Sequence, residues 1–99
     1  MTNLQPIHPG NILLEEFIKP LNMNMRQLAV AIHVPSGRIS QIIAGKRDIS
    51  VNTAYRLGKY FKTGPEFWLN LQQKYDLRIN KESWEEIKNT VPVCDKLAA

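Results

Sequence analysis

Apolar residues along this chain recur at intervals of three and four, and no alternating run of strand length appears, so the pattern predicts an all-α protein. A first helix is expected from about Gly10 to Lys19, burying Ile12, Leu13, Phe17 and Ile18 and stopped by Pro20. A second begins at Asn24, whose side chain can cap while Gln27 sits three residues later in the capping-box position, and it buries Leu28, Ala29 and Ile32. Only His33, Val34 and Pro35 separate it from a third, capped by Ser36 and closed by Gly45 in the left-handed conformation that ends helices. A fourth starts with Ser50 as N-cap and carries Ala54, Leu57, Gly58 and Phe61 on one side. Thr63 and Glu66 form the capping box of a fifth, with Pro65 in its first turn and an end near Leu77. Beyond Asn80, "KESWEEIKNT" makes a short amphipathic helix through Trp84 and Ile87, and a loose tail follows from Val91. The division expected is a main domain over residues 1–80 with a short extension over 81–99.

The third helix has an unusual composition. Within "VPSGRISQIIAGKR", Ile39, Ile42 and Ile43 share one side. Stepping 100° per residue, Gly37, Gln41 and Ala44 lie opposite them, with Ser40 and Arg38 at the edges. Exposed helix positions ordinarily carry Glu, Lys or Ala for helix propensity, so a face this small, polar and cationic asks for another reason.

Charge supplies it. Residues 1–63 hold eight Lys or Arg against three acids, a net of +5, while residues 64–99 carry a net of −1. A basic half joined to a near-neutral half implies a polyanion-binding surface on one side. Two short helices joined by a three-residue turn inside such a domain make the arrangement of a helix-turn-helix. A helix that enters a DNA major groove about 12 Å wide needs small residues on its leading face, which Gly37, Ser40 and Ala44 provide. Gln41 can then pair with adenine, and Arg38 with guanine or a phosphate. Gln27 and the neighbouring N–H groups at the start of the second helix suit a phosphate, as do Lys46 and Arg47 beyond the end of the third. Ser36, at the entrance to the third helix, belongs to the same surface.

Other chemistries fall away. His8, His33 and Cys94 are too scattered for a four-ligand metal site, and the single cysteine excludes an internal disulfide and points to a reducing, cytoplasmic setting. Glu15/Glu16 and Glu85/Glu86 are adjacent in sequence and diverge around their helices, and the glycines stand alone rather than in a phosphate-cradling loop. No enzyme, cofactor or membrane span is expected, and the chain reads as one that is not exported. On the fifth helix Trp68, Leu71 and Tyr75 share one face, whereas Phe67 and Leu69 point elsewhere. With Trp84 and Ile87 they form an apolar surplus for which a homodimer surface is the expected use. Such a dimer presents two reading helices about 34 Å apart and reads a palindrome.

The combination of HPG, VP-x-x-RIS, GKR-x-IS, TAYRLGKYF and FWLNLQ-x-x-YDL, spread over roughly residues 7 to 78, resembles the HigA antitoxins, also known as virulence-associated protein VapI. That resemblance implies a lambda-repressor-like (XRE/Cro-type) five-helix domain with a short C-terminal helical extension. It also implies a DNA-binding antitoxin that represses its own operon and neutralises a co-encoded HigB-type toxin, an mRNA-cleaving ribonuclease. A stand-alone repressor without a toxin partner is the alternative, and a short basic reading frame beside this gene would favour the antitoxin. An RNA-binding adaptor fits less well, because the aromatic residues cluster away from the basic half. One departure sits at the turn: His33 stands where many helix-turn-helix proteins have glycine, at a cost of about 1 kcal/mol if the position takes positive φ.

Overall fold

The computed structural model describes residues 5–97, and these contain helices joined by turns, with no strand among them. The order is α1 (Pro9–Ile12), running directly into a π-helical stretch (Leu13–Ile18), then α2 (Met25–Ile32), α3 (Ser36–Ile43), α4 (Val51–Tyr60), α5 (Pro65–Ile79) and α6 (Lys81–Thr90).

Local chemistry accounts for most of the boundaries. His8 caps α1, its Nδ1 accepting from the Gly10 N–H at 2.9 Å. Past Ile12 the register changes to bonds spanning five residues, as in Lys19 N–H to Leu14 C=O at 3.0 Å. That register turns residues five apart onto one face, so Leu13 and Ile18 are both buried. The Asn24–Gln27 capping box forms as the spacing predicts, and α2 buries Leu28, Ala29 and Ile32. His33 adopts φ 62° and ψ 49°, the left-handed conformation that a glycine would supply at this turn. Its strain is offset by the Val34 N–H, which closes the helix end on the Ala29 carbonyl at 3.0 Å.

Two predicted caps differ. Ser36 is the first residue inside α3 rather than its cap; Pro35 occupies the cap position in an extended conformation, and its carbonyl accepts from the Arg38 N–H at 3.0 Å. Thr63 does not cap α5. Trp68 is fully buried, and its indole N–H needs an acceptor there, which Thr63 Oγ1 provides at 2.9 Å. Gly64, at φ 81°, takes the cap position instead, and α5 runs two residues further than expected, to Ile79.

The core consists of Leu13, Ile18, Leu28, Ala29, Ile32, Val34, Ile39, Ile42, Ile49, Ala54, Leu57 and Trp68, contributed by the π-helical stretch, α2 to α5 and the turns at Val34 and Ile49. Phe17, Phe61 and Trp68 form an aromatic group at one side of it, with ring centroids 4.8 to 6.3 Å apart. Two glycines set the helix spacing. A Cβ on Gly58 would lie 2.4 Å from the backbone of Gly64, and one on Gly10 would lie 2.0 Å from the Ile42 carbonyl oxygen, so α1 rests directly on the backbone of α3. No residue of α6 is buried, and it begins at Asn80 where α5 ends. No helix of the described residues is long and apolar enough to cross a membrane.

Candidate nucleic-acid interface

α3 divides its faces as the sequence pattern requires. Ile39 and Ile42 are fully buried and Ile43 partly so, while Gly37, Ser40, Gln41 and Ala44 are exposed and Arg38 lies half-buried between them. The small residues on the outer face have no internal explanation. A Cβ on Gly37 would meet nothing within 4 Å. The Ser40 hydroxyl donates to the Gly37 carbonyl at 3.0 Å, which leaves its lone pairs outward and its proton engaged. The face is therefore open to solvent, sterically shallow, and flanked by cations.

The segment after α3 folds back over that face. Gly45, at φ 75°, reverses the chain, and the Lys46 N–H donates to the Gln41 backbone carbonyl at 2.9 Å. Three residues after Lys46, Ile49 enters the core, its N–H held at 2.8 Å by the buried side-chain oxygen of Gln72 on α5. The Gln72 amide nitrogen donates in turn to Asp76 Oδ1 at 3.0 Å. Pinned at both ends, the loop brings Arg47 over α3, where its Nε donates to Gln41 Oε1 at 2.9 Å. Arg47 and Gln41 are six residues apart and form a fixed pair at the centre of the exposed face. Lys46 projects into solvent beside them.

The other expected contacts are placed as follows. Gln27 lies exposed at the start of α2 with its oxygen committed to the Asn24 N–H, so its amide nitrogen is the group left to meet an anion. Ser36 is exposed at the entrance to α3. Arg56, counted among the basic residues, is diverted inward: its Nη1 donates to the carbonyls of Ile32 at 2.8 Å and His33 at 3.3 Å, bracing the turn between α2 and α3. His33 is exposed in that turn. His8 sits at the opposite end of α3, near Gly45 and edge-on to Tyr75 with ring centroids 4.8 Å apart. Burial pushes its pKa below the ordinary imidazole value, and Asp48 and Asp76 oppose that shift.

Three supporting residues were not singled out from the sequence: Gly10, Gln72 and Arg56. Gln72 carried a signal, since it lies four residues after Trp68 on the same helix face, where a polar side chain must find a partner.

The residues expected at a dimer surface separate into two groups. Phe67 is exposed yet meets Phe17 and Trp68 in T-shaped contacts, with ring centroids at 5.9 and 5.0 Å, and Leu69 packs partly into the core. Both therefore have partners within the chain. Trp84 and Ile87 on α6 remain about half exposed, in company with Leu77 and Ile79 near the end of α5.

Three comparisons place this geometry among known proteins. The helix-turn-helix family model HTH_3 matches residues 14–68. Virulence-associated protein I of Dichelobacter nodosus is 40% identical over 87 residues, covering 88% of this chain and 81% of that protein. An addiction module antidote protein of the HigA family from Coxiella burnetii superimposes with a TM-score of 0.84 at 44% identity, covering 91% of this chain and 99% of the other. The antitoxin HigA of Pseudomonas aeruginosa, solved with the higBA promoter, gives 0.82 at 35% identity, covering 93% and 99%.

Proposed function

The chain belongs to the helix-turn-helix family of the HigA and VapI proteins, and from that footing we propose that it is a HigA-type antitoxin that represses its own operon and neutralises a co-encoded HigB-type toxin. It is a regulator and not an enzyme. The observation that carries the DNA reading is the outer face of α3: exposed, shallow, unexplained by internal packing, and held in shape by the core behind it. The Pseudomonas relative, alike over 93% of this chain, was solved with promoter DNA.

In this reading α3 lies in the major groove. Gly37, Ser40 and Ala44 allow close approach, and Gln41 meets a base edge with Arg38 beside it. The N–H groups at the start of α2, with the Gln27 amide, hold a phosphate. Ser36 and Lys46 hold others, which position the protein without reading sequence. Residues 1–80 form the DNA-binding domain, and 81–99 the extension that contributes Trp84 and Ile87 to a homodimer, so that two copies of α3 face a palindromic operator about one DNA turn apart. Action on the cell's own operon places the protein in the cytoplasm. The toxin docks elsewhere than on α3, whose small polar face offers no aromatic anchor.

The test has two arms. Fluorescence anisotropy on the DNA upstream of the gene should show salt-dependent binding, with log Kobs falling against log salt by about 0.9 for each phosphate contact. Co-expression with the product of the adjacent reading frame should give a stable complex that Gln41→Ala leaves intact. Binding of DNA without any toxin complex would make the protein a stand-alone repressor, and loss of the complex in Gln41→Ala would merge the two surfaces.

A further inference from the structure

Arg47 follows the last turn of α3 and, by position alone, belongs with Lys46 as a phosphate contact. Its geometry is different. The guanidinium Nε points back along the helix face to Gln41 Oε1 at 2.9 Å, and a guanidinium has donors only. The Gln41 amide is therefore oriented without ambiguity: its oxygen faces Arg47, and its NH₂ is turned away from Arg47. A free glutamine at an exposed helix position rotates its terminal torsion broadly and presents oxygen or nitrogen with similar ease. Here that freedom is restricted by Arg47, whose backbone is held between Lys46, bonded to the Gln41 carbonyl, and Ile49, buried and bonded to Gln72.

We propose that Arg47 is a positioning residue for sequence reading: by holding the Gln41 oxygen it commits the Gln41 NH₂ to base edges that present acceptors. Guanine N7 and O6, adenine N7 and thymine O4 fit this donor in the major groove, whereas cytosine, which presents its N4 amino donor there, does not. This rests on the placement of α3 in the groove proposed above and adds a role that the phosphate reading of Arg47 lacks. The exposed bond competes with water in the free protein. At a groove from which water is displaced that competition falls away and the lower local dielectric strengthens the bond.

The experiment uses the full chain, with binding sites selected from a random duplex pool and then single-base variants of the selected site. Arg47→Lys keeps the charge but not the planar Nε donor; Arg47→Met keeps the stem alone. Gln41→Ala should flatten the preference at one position per half-site by about 5- to 150-fold, the range of a good base contact. Arg47→Met should flatten the same position by about tenfold or more while also reducing the salt slope. Arg47→Lys should restore the salt slope without restoring the preference. In the Gln41→Ala background, neither Arg47 variant should change base preference further.

If Arg47→Lys behaves as wild type in preference as well as slope, or if Arg47→Met alters only the slope, Arg47 is a phosphate contact and the inference is overturned. A selected site in which cytosine on the contacted strand is preferred at the Gln41 position also overturns it. Should Gln41→Ala itself leave every base preference unchanged, the failure lies one step earlier, in the placement of Gln41 on a base edge.

Discussion

Gly37→Ala separates what the chain needs for folding from what its partner needs for binding, because the two effects have opposite signs. Gly37 is the second residue of α3, is exposed, and does not have positive φ; an added Cβ finds nothing within 4 Å. Alanine therefore fits without strain and restricts the unfolded chain, which should stabilise the protein by about 0.5–1 kcal/mol, a rise of roughly 2–8 °C in Tm for a domain of this size. With α3 seated in the groove as proposed above, the same methyl has no room. A helix with its side chains is about 10–12 Å across and the major groove about 12 Å wide, so one more carbon on the leading face acts like overpacking, about 1–3 kcal/mol, or about 5- to 150-fold in Kd. Thermal melts followed by circular dichroism and anisotropy titrations on a selected site measure both terms on one preparation. A variant that melts higher and binds DNA as tightly as the parent would remove Gly37 from the contact face. One that melts lower would show that the local account of α3 is wrong.

Gln72→Ala leaves the buried Ile49 N–H without its acceptor, so urea unfolding should show a loss of about 1–3 kcal/mol with little change in m, and DNA affinity should fall because the loop carrying Arg47 loses its anchor. A loss confined to stability, with DNA binding intact on folded protein, would show that the loop is held without it. His8 has a folded pKa below its ordinary value, so the unfolded chain binds the proton more readily; stability should be at its plateau above about pH 6.5 and decline as pH falls from there towards the folded pKa. His8→Asn retains a capping acceptor and should abolish that part of the decline in a pH series of urea midpoints, and an unchanged series would place the pH dependence elsewhere. Trp84→Ala and Ile87→Ala touch no buried packing within the chain, so each should change monomer stability by less than about 0.5 kcal/mol. At a dimer hot spot the same change costs about 2 kcal/mol, roughly 30-fold in dimerisation, and sedimentation velocity across a dilution series would expose the absence of that shift.

Much of this molecule is written in short-range chemistry. The Asn24–Gln27 box, the Ser50 cap that accepts from the Thr53 N–H, the reversal at Gly45 and the isoleucine stripe of α3 all join residues no more than five positions apart. At those separations the helical period alone fixes which groups can meet, so spacing is enough to predict them. The left-handed His33 was legible for a different reason: the resemblance places it where many helix-turn-helix proteins have a glycine. The helical period also located the exposed face of α3 and the short helix α6, both of which the structure contains.

Tertiary structure decided the partners that are distant in sequence, and in two places it overruled a local signal. Thr63 has the spacing of a capping residue, but a buried indole N–H without an acceptor costs more than helix N–H groups left facing water, so Thr63 Oγ1 serves Trp68. Arg56 has the composition of a DNA contact, but two carbonyls left open at the end of α2 lie 24 and 23 residues away and claim its guanidinium. Gln72 meets Ile49 across 23 residues, and Gly10 meets the Ile42 carbonyl only because α1 is laid against α3. The pairing of Arg47 with Gln41 lies between the two regimes: Gly45 supplies the reversal locally, yet the return of Arg47 over the helix depends on Ile49 being drawn into a core that α5 completes. Sequence spacing identified the small, polar face of α3 because a helix presents its faces by period; which side chains on it are held, and by what, depends on packing between elements far apart in the chain.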